Sequence, residues 1–103
     1  SDLDKSTLAQ LTRGQRMVEI LKQNQYVPMP VEKQIAIIFT AANGLLDDIE
    51  QSDVSNFEGK LLSYLDTSHN DILDSIKTTG AIDDKINDQL LEAIKSFKSG
   101  YSN

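Results

Sequence analysis

"VEKQIAIIFTAANG", residues 31–44, holds the longest nearly apolar run in a chain of 103 residues. From Ile35 to Ala42 only Thr40 is polar, so a helix built from this run has no polar face to turn to water. Such a helix belongs at the centre of a domain, and it falls far short of the roughly 20 residues that span a bilayer. Pro30 suits its first turn, because proline lacks only an N–H that a helix start does not use. Asn43-Gly44 supplies a stop. The spacing predicts a buried helix over about 31–42, with the rest of the fold packed around it.

Upstream, Leu8, Leu11, Val18 and Leu21 recur at helical spacing on one face, with Met17 and Ile20 beside them. A first helix is expected over about 5–22, with Asp4 as its N-cap and Lys22 at its C-terminal end, where the dipole favours a cation. Gly14 in its middle is unfavourable by about 1 kcal/mol relative to alanine, and a close approach of another helix is one reason to keep it. Pro28 and Pro30 push Val27 and Met29 toward extended backbone, so Asn24 to Met29 reads as a stiff connector.

Downstream, "LLDDIEQSD" (45–53) reads as a short acidic connection. Ser52 and Asp53 offer caps for a third helix with apolar positions Val54, Phe57, Leu61, Leu62 and Leu65. "TSHND" (67–71) interrupts it. A fourth helix carries Ile72, Leu73 and Ile76 and stops at Gly80, and a fifth carries Ile82, Ile86, Leu90, Ile94 and Phe97. Asp83 and Asp84 fall in the first turn of that helix and Lys95 and Lys98 in its last, as the macrodipole prefers. No segment alternates polar and apolar residues, so the fold class is all-α: one domain, a compact bundle of about five short helices.

Composition narrows the chemistry. There are no cysteines and one histidine, which excludes disulfides and thiolate metal sites. Residues 1–40 are near neutral, whereas residues 41–103 carry five Lys/Arg against twelve Asp/Glu. An acidic surface of this kind repels nucleic acid and anionic lipid and suits a basic protein partner. The chain opens on "SDLDKST" without methionine and without a signal-peptide layout, and is expected to be a fragment or a processed product.

Asp47-Asp48 and Asp83-Asp84 invite a metal or acid–base reading, but neither stretch has the alternate-position ligands, turn glycine and closing glutamate of a calcium loop. They read as helix starts and solvated loops. His69 has Asp71 and Asp74 near it in sequence and nothing that marks a pocket, so it reads as a capping or exposed histidine. No glycine-rich phosphate loop occurs anywhere. By these residues the chain is not an enzyme on its own.

"KQNQYVPMP" (22–30) remains. Its plain reading is a polar helix end wetted by solvent. The competing reading has the helix end near Gln23 and an extended connector follow, so that Gln23 and Gln25 share a side. Each amide carries a donor and an acceptor, which matches the amino group and ring nitrogens on the edge of adenine.

The run from Ser1 to Glu50 closely resembles the start of the C-terminal domain of the alpha subunit of the proton-driven rotary ATP synthase. The matching pieces are Ser1 to Asp4, Arg13-Gly14, the K-Q-x-Q-Y-x-P block from Lys22 to Tyr26 with Pro28, Glu32, Asn43-Gly44 and Leu46-Asp47. Residues 57–73, "FEGKLLSYLDTSHNDIL", resemble the family's next block, and the resemblance covers essentially the whole chain with a looser tail from Lys77. It implies a structural part of the alpha–beta ring, with the beta subunits and the rotating gamma shaft as partners, in a complex that couples ATP synthesis to proton transport. It implies ATP or ADP with magnesium as cofactor of the full subunit, with Gln23 and Gln25 beside the adenine of the non-catalytic nucleotide site. The phosphate-binding loop and magnesium-binding residues of the family lie upstream of Ser1, so no tight nucleotide binding and no catalytic residue are expected in this chain. A peripheral membrane complex is implied, on the cytoplasmic face of a bacterial plasma membrane or the matrix face of the mitochondrial inner membrane, with no direct membrane insertion and no nucleic acid.

The alternative is a free-standing small helical adaptor that binds a partner helix in a groove. A domain taken from a longer chain should expose an apolar patch where its neighbour docked; an adaptor should show a groove and an otherwise complete surface.

Overall fold

The apolar run at 35–42 becomes part of helix α2 (Val31–Ala42), the second of five α-helices in a computed structural model of the chain. The others are α1 (Asp2–Tyr26), α3 (Val54–Ser68), α4 (Asn70–Thr79) and α5 (Asp84–Gly100), and a single 3₁₀ turn, Gln51–Asp53, leads into α3. The structure describes residues 2–26 and 29–101, with side chains described for 4–22 and 29–101. Among the described residues there is no strand.

Helix α2 packs against α1, α4 and α5. Ala36, Ile37, Phe39, Thr40 and Ala41 are buried, while Ile38 reaches the surface. Thr40 is tolerated in the core because its hydroxyl donates to the Ala36 carbonyl one turn back, at 2.8 Å. Pro30 sits one place earlier than expected, as the N-cap with φ −55° and ψ 149°. Its carbonyl accepts from the Lys33 and Gln34 amides. The expected stop holds at the other end: the Asn43 side-chain amide donates to Phe39 O at 2.8 Å, and Gly44 takes φ +74°.

Helices α3, α4 and α5 enclose the core on the other side through Phe57, Leu61, Leu65, Leu73, Ile76, Leu90 and Ile94. Phe57 meets Phe97 and Tyr101 edge-on, with ring centroids 5.4 and 4.9 Å apart, the geometry that ring quadrupoles favour. His69 is the joint between α3 and α4: its amide donates to Leu65 O and its carbonyl accepts from Ile72 N. Gly80 ends α4 in the left-handed conformation, φ +69°. Asp83 caps α5, its carboxylate accepting from the Ile86 amide at 2.8 Å. The expected cap at Asp53 is different, for this carboxylate makes no cap bond to α3. It accepts instead from the Tyr101 hydroxyl at 2.6 Å, tying the end of α5 to the start of α3.

Helix α1 departs most from expectation. It begins at Asp2 and runs through Tyr26, so Asp4 lies inside it and is not its cap. Two amides and an asparagine at 23–25 do not stop a helix by themselves, since only proline removes a ladder donor. The extended backbone expected at Val27 lies outside the described residues.

Candidate functional site

Gln23 and Gln25 stand in the last two turns of α1. A shared side for the two glutamines needs the helix to end near Gln23, but the backbone stays helical to Tyr26. Two positions two apart on a continuous helix are separated by about 200° around its axis. The side chains of residues 23–28 lie outside those described, so the assignment of Gln23 and Gln25 rests on the family resemblance and on amide chemistry.

The best-organised polar cluster lies elsewhere, around the turn that follows α2. Arg13 Nη2 donates to Asp47 Oδ2 at 3.1 Å, and its guanidinium passes over Gly44, where a Cβ would collide with it. One turn along α1, Arg16 Nε donates to the carbonyls of Leu46 at 3.2 Å and Ile49 at 2.6 Å. From the opposite side Lys98 of α5 donates to Leu45 O and to Asp48 Oδ1, both at 2.7 Å. Three cations therefore engage the carbonyls and carboxylates of this turn, while Asp47 Oδ1 stays buried with no hydrogen-bond partner among the described residues. The Lys98 hydrogen bond also holds the Asp48 carboxyl below the usual carboxylate range. Asp47-Asp48, a metal candidate in sequence, is thus an anchor for α1 and α5. Among the described residues no three His, Asp or Glu side chains gather where they could hold a metal ion.

His69 is half-buried. Its Nε2 lies 3.1 Å from the Tyr64 hydroxyl and its ring 5.2 Å from that of Tyr64. Both line an open cleft of about 380 Å³ with Ile72 and Ala93 and the exposed Asp71 and Glu92. Gln89 and Ser96 complete the lining, and the ring nitrogen of His69 pairs with Tyr64 and not with Ser96, so no serine–histidine pair is formed among the described residues.

Glu58 was not singled out in sequence. It is 5% exposed, its Oε2 has no hydrogen-bond partner among the described residues, and burial pushes its carboxyl up to about 7. The signal was present: positions 54, 58, 61 and 65 run at spacings of four, three and four along the core face of α3.

The hydrophobic stripe of α1 points outward. Leu8, Leu11, Val18 and Leu21 are 63%, 58%, 56% and 49% exposed, while Ile20, about 160° around the helix from Val18, is fully buried. The inward side is occupied by Arg13, Arg16, Met17 and Ile20, because the turn carbonyls and Asp47 demand charged donors there. Among the described residues nothing lies within 4 Å of a Cβ placed on Gly14, so no described helix makes the close approach expected there.

The family model described as ATP synthase alpha/beta chain, C terminal domain, matches residues 1–97. Two curated relatives, each named ATP synthase subunit alpha, come from Syntrophomonas wolfei subsp. wolfei and a Sulfurovum species; each is 50% identical over 102 residues, 99% of this chain. The chain spans about one fifth of the length of each relative. This all-α bundle, matched by the family model over residues 1–97, belongs to the C-terminal domain family of the ATP synthase alpha and beta chains.

Proposed function

We propose that this chain is the C-terminal domain of an ATP synthase alpha subunit, a structural module of the alpha–beta ring that itself performs no chemistry. The observation that carries this reading is 50% identity over 99% of the chain to proteins named ATP synthase subunit alpha. Its partners are then the beta subunits and the central gamma shaft, in a membrane-peripheral complex that couples ATP synthesis to proton movement. No helix among the described residues is long and apolar enough to cross a membrane. The outward stripe of α1 is the extended apolar patch expected where a neighbouring part of a longer chain docks, which favours an embedded module over a free-standing adaptor with an otherwise complete surface.

Within the full subunit, Gln23 and Gln25 are proposed to read the adenine of the non-catalytic nucleotide. Amides fit that task in kind: neutral, directional and able to donate and accept. Phosphates and magnesium fall to residues outside this chain. The intact mass of the native polypeptide, captured from source cells with its co-purifying proteins, tests the reading. A chain about five times longer, accompanied by a similar-sized partner and ATPase activity, supports it; a free polypeptide of this length without such a partner overturns it. In that longer chain Gln23→Ala and Gln25→Ala should each weaken ATP binding about 2–10-fold, and unchanged affinity in both would remove the adenine role.

A further inference from the structure

Gly14 sits in the middle of the outward stripe, between Leu11 and Val18, and leaves a notch. A groove of about 400 Å³ opens there, lined by Gln10, Leu11, Gly14, Gln15, Val18 and Gln51. Inside a helix glycine costs stability relative to alanine, and nothing among the described residues comes within 4 Å of the Cβ it lacks. No contact among the described residues offsets that cost. The groove is walled by the side chains of Leu11 and Val18, both more than half exposed, and it is too small for a helix but large enough for one bulky side chain. Its surroundings on α1 are apolar at Leu8 and Leu21 as well.

We infer that the Gly14 notch seats a large apolar side chain from the part of the longer polypeptide that precedes this domain, and that the stripe Leu8–Leu11–Val18–Leu21 is the face on which that part packs. The inference rests on the proposed reading of the chain as the C-terminal domain of a polypeptide about five times its length. The relatives supply the occupant, because four fifths of their length lies outside the matched stretch and the family names that stretch the C-terminal domain. A close backbone approach at a glycine, flanked by large apolar residues, is how a knob from outside enters a helix surface without a clash.

The test is a reversal of sign. Gly14→Ala and Gly14→Leu are made both in the 103-residue chain and in the full-length polypeptide. In the short chain both raise the melting temperature, by about 4–8 °C, because the position is an open helix interior. In the full-length polypeptide Gly14→Leu lowers the melting temperature and speeds hydrogen exchange of the α1 amides, with Gly14→Ala intermediate. If Gly14→Leu is as favourable in the long chain as in the short one, the notch is empty there and the inference falls, leaving the family reading untouched. A native polypeptide of only 103 residues removes the longer chain itself, and both fall together. A dimer of the short chain that Gly14→Leu dissociates, seen by light scattering, assigns the notch to a second copy and overturns the inference.

Discussion

Arg13 and Asp47 meet at 3.1 Å across the backbone of Gly44. The contact joins α1 to the turn after α2, and it brings together three short sequence matches that are dispersed along the chain: Arg13-Gly14, Asn43-Gly44 and Leu46-Asp47. The glycine is needed twice over, once for its φ of +74° and once for the space the guanidinium occupies.

Gly44→Ala should therefore cost more than Gly80→Ala, although both glycines have positive φ. Gly80 has open space around it, and alanine there costs about 1–2 kcal/mol of left-handed strain. At Gly44 the Arg13 head group must also swing away from Asp47, adding up to about 1 kcal/mol for a partly exposed ion pair. In an Arg13→Ala background the excess should vanish. Urea denaturation of the four variants measures this coupling, and equal costs for the two glycines would show that the ion pair contributes nothing.

Glu58 sets a pH dependence. Burial raises its carboxyl from the ordinary 4.5 to about 7, so the folded chain holds this proton more tightly than the unfolded chain does. Its contribution is full below pH 4.5 and is lost as pH rises toward 7, on the order of 3 kcal/mol in all. Glu58→Gln should abolish that downward slope between pH 5 and about 7. Parallel stability profiles of the variant and the parent over this range would mean that Glu58 is solvated.

Tyr101 closes the domain by donating to Asp53 at 2.6 Å and accepting from Asn56 at 3.0 Å. The bond to Asp53 pushes the phenol above its ordinary 10. Tyr101→Phe should lower stability by about 1–2 kcal/mol, since the Asp53 carboxylate loses its short donor and keeps only the longer one from Asn56, at 3.4 Å. Asp53→Asn should bring the Tyr101 titration, followed by NMR of the ring, back down. A phenol that titrates identically in both proteins would refute the contact.

Core and candidate site should separate cleanly under mutation. Ile37 is fully enclosed in α2, and Ile37→Ala should cost about 2–5 kcal/mol. Gln23→Ala and Gln25→Ala should leave the denaturation midpoint nearly unchanged, as polar substitutions near a helix end usually do. The opposite ranking would displace the core from α2.

The chain's local chemistry settled the number, type and order of its helices. A nearly apolar run has to be buried, glycine and asparagine end helices, and Asp83 caps one, all through interactions within a few residues. Helix α2 accordingly has the bounds that its run, Pro30 and Asn43-Gly44 predict. The orientation of α1 was not legible in this way. Periodicity shows that Leu8, Leu11, Val18 and Leu21 share a face, but not whether that face meets this domain or something outside it. The tertiary structure decided it, because Arg13 and Arg16 hydrogen-bond to a turn 30 to 34 residues away and so rotate the apolar stripe into the open. The burial of Glu58, by contrast, follows the 54–58–61–65 spacing of α3, and α1 continues through Gln23 and Gln25 because no proline precedes Pro28 in that stretch.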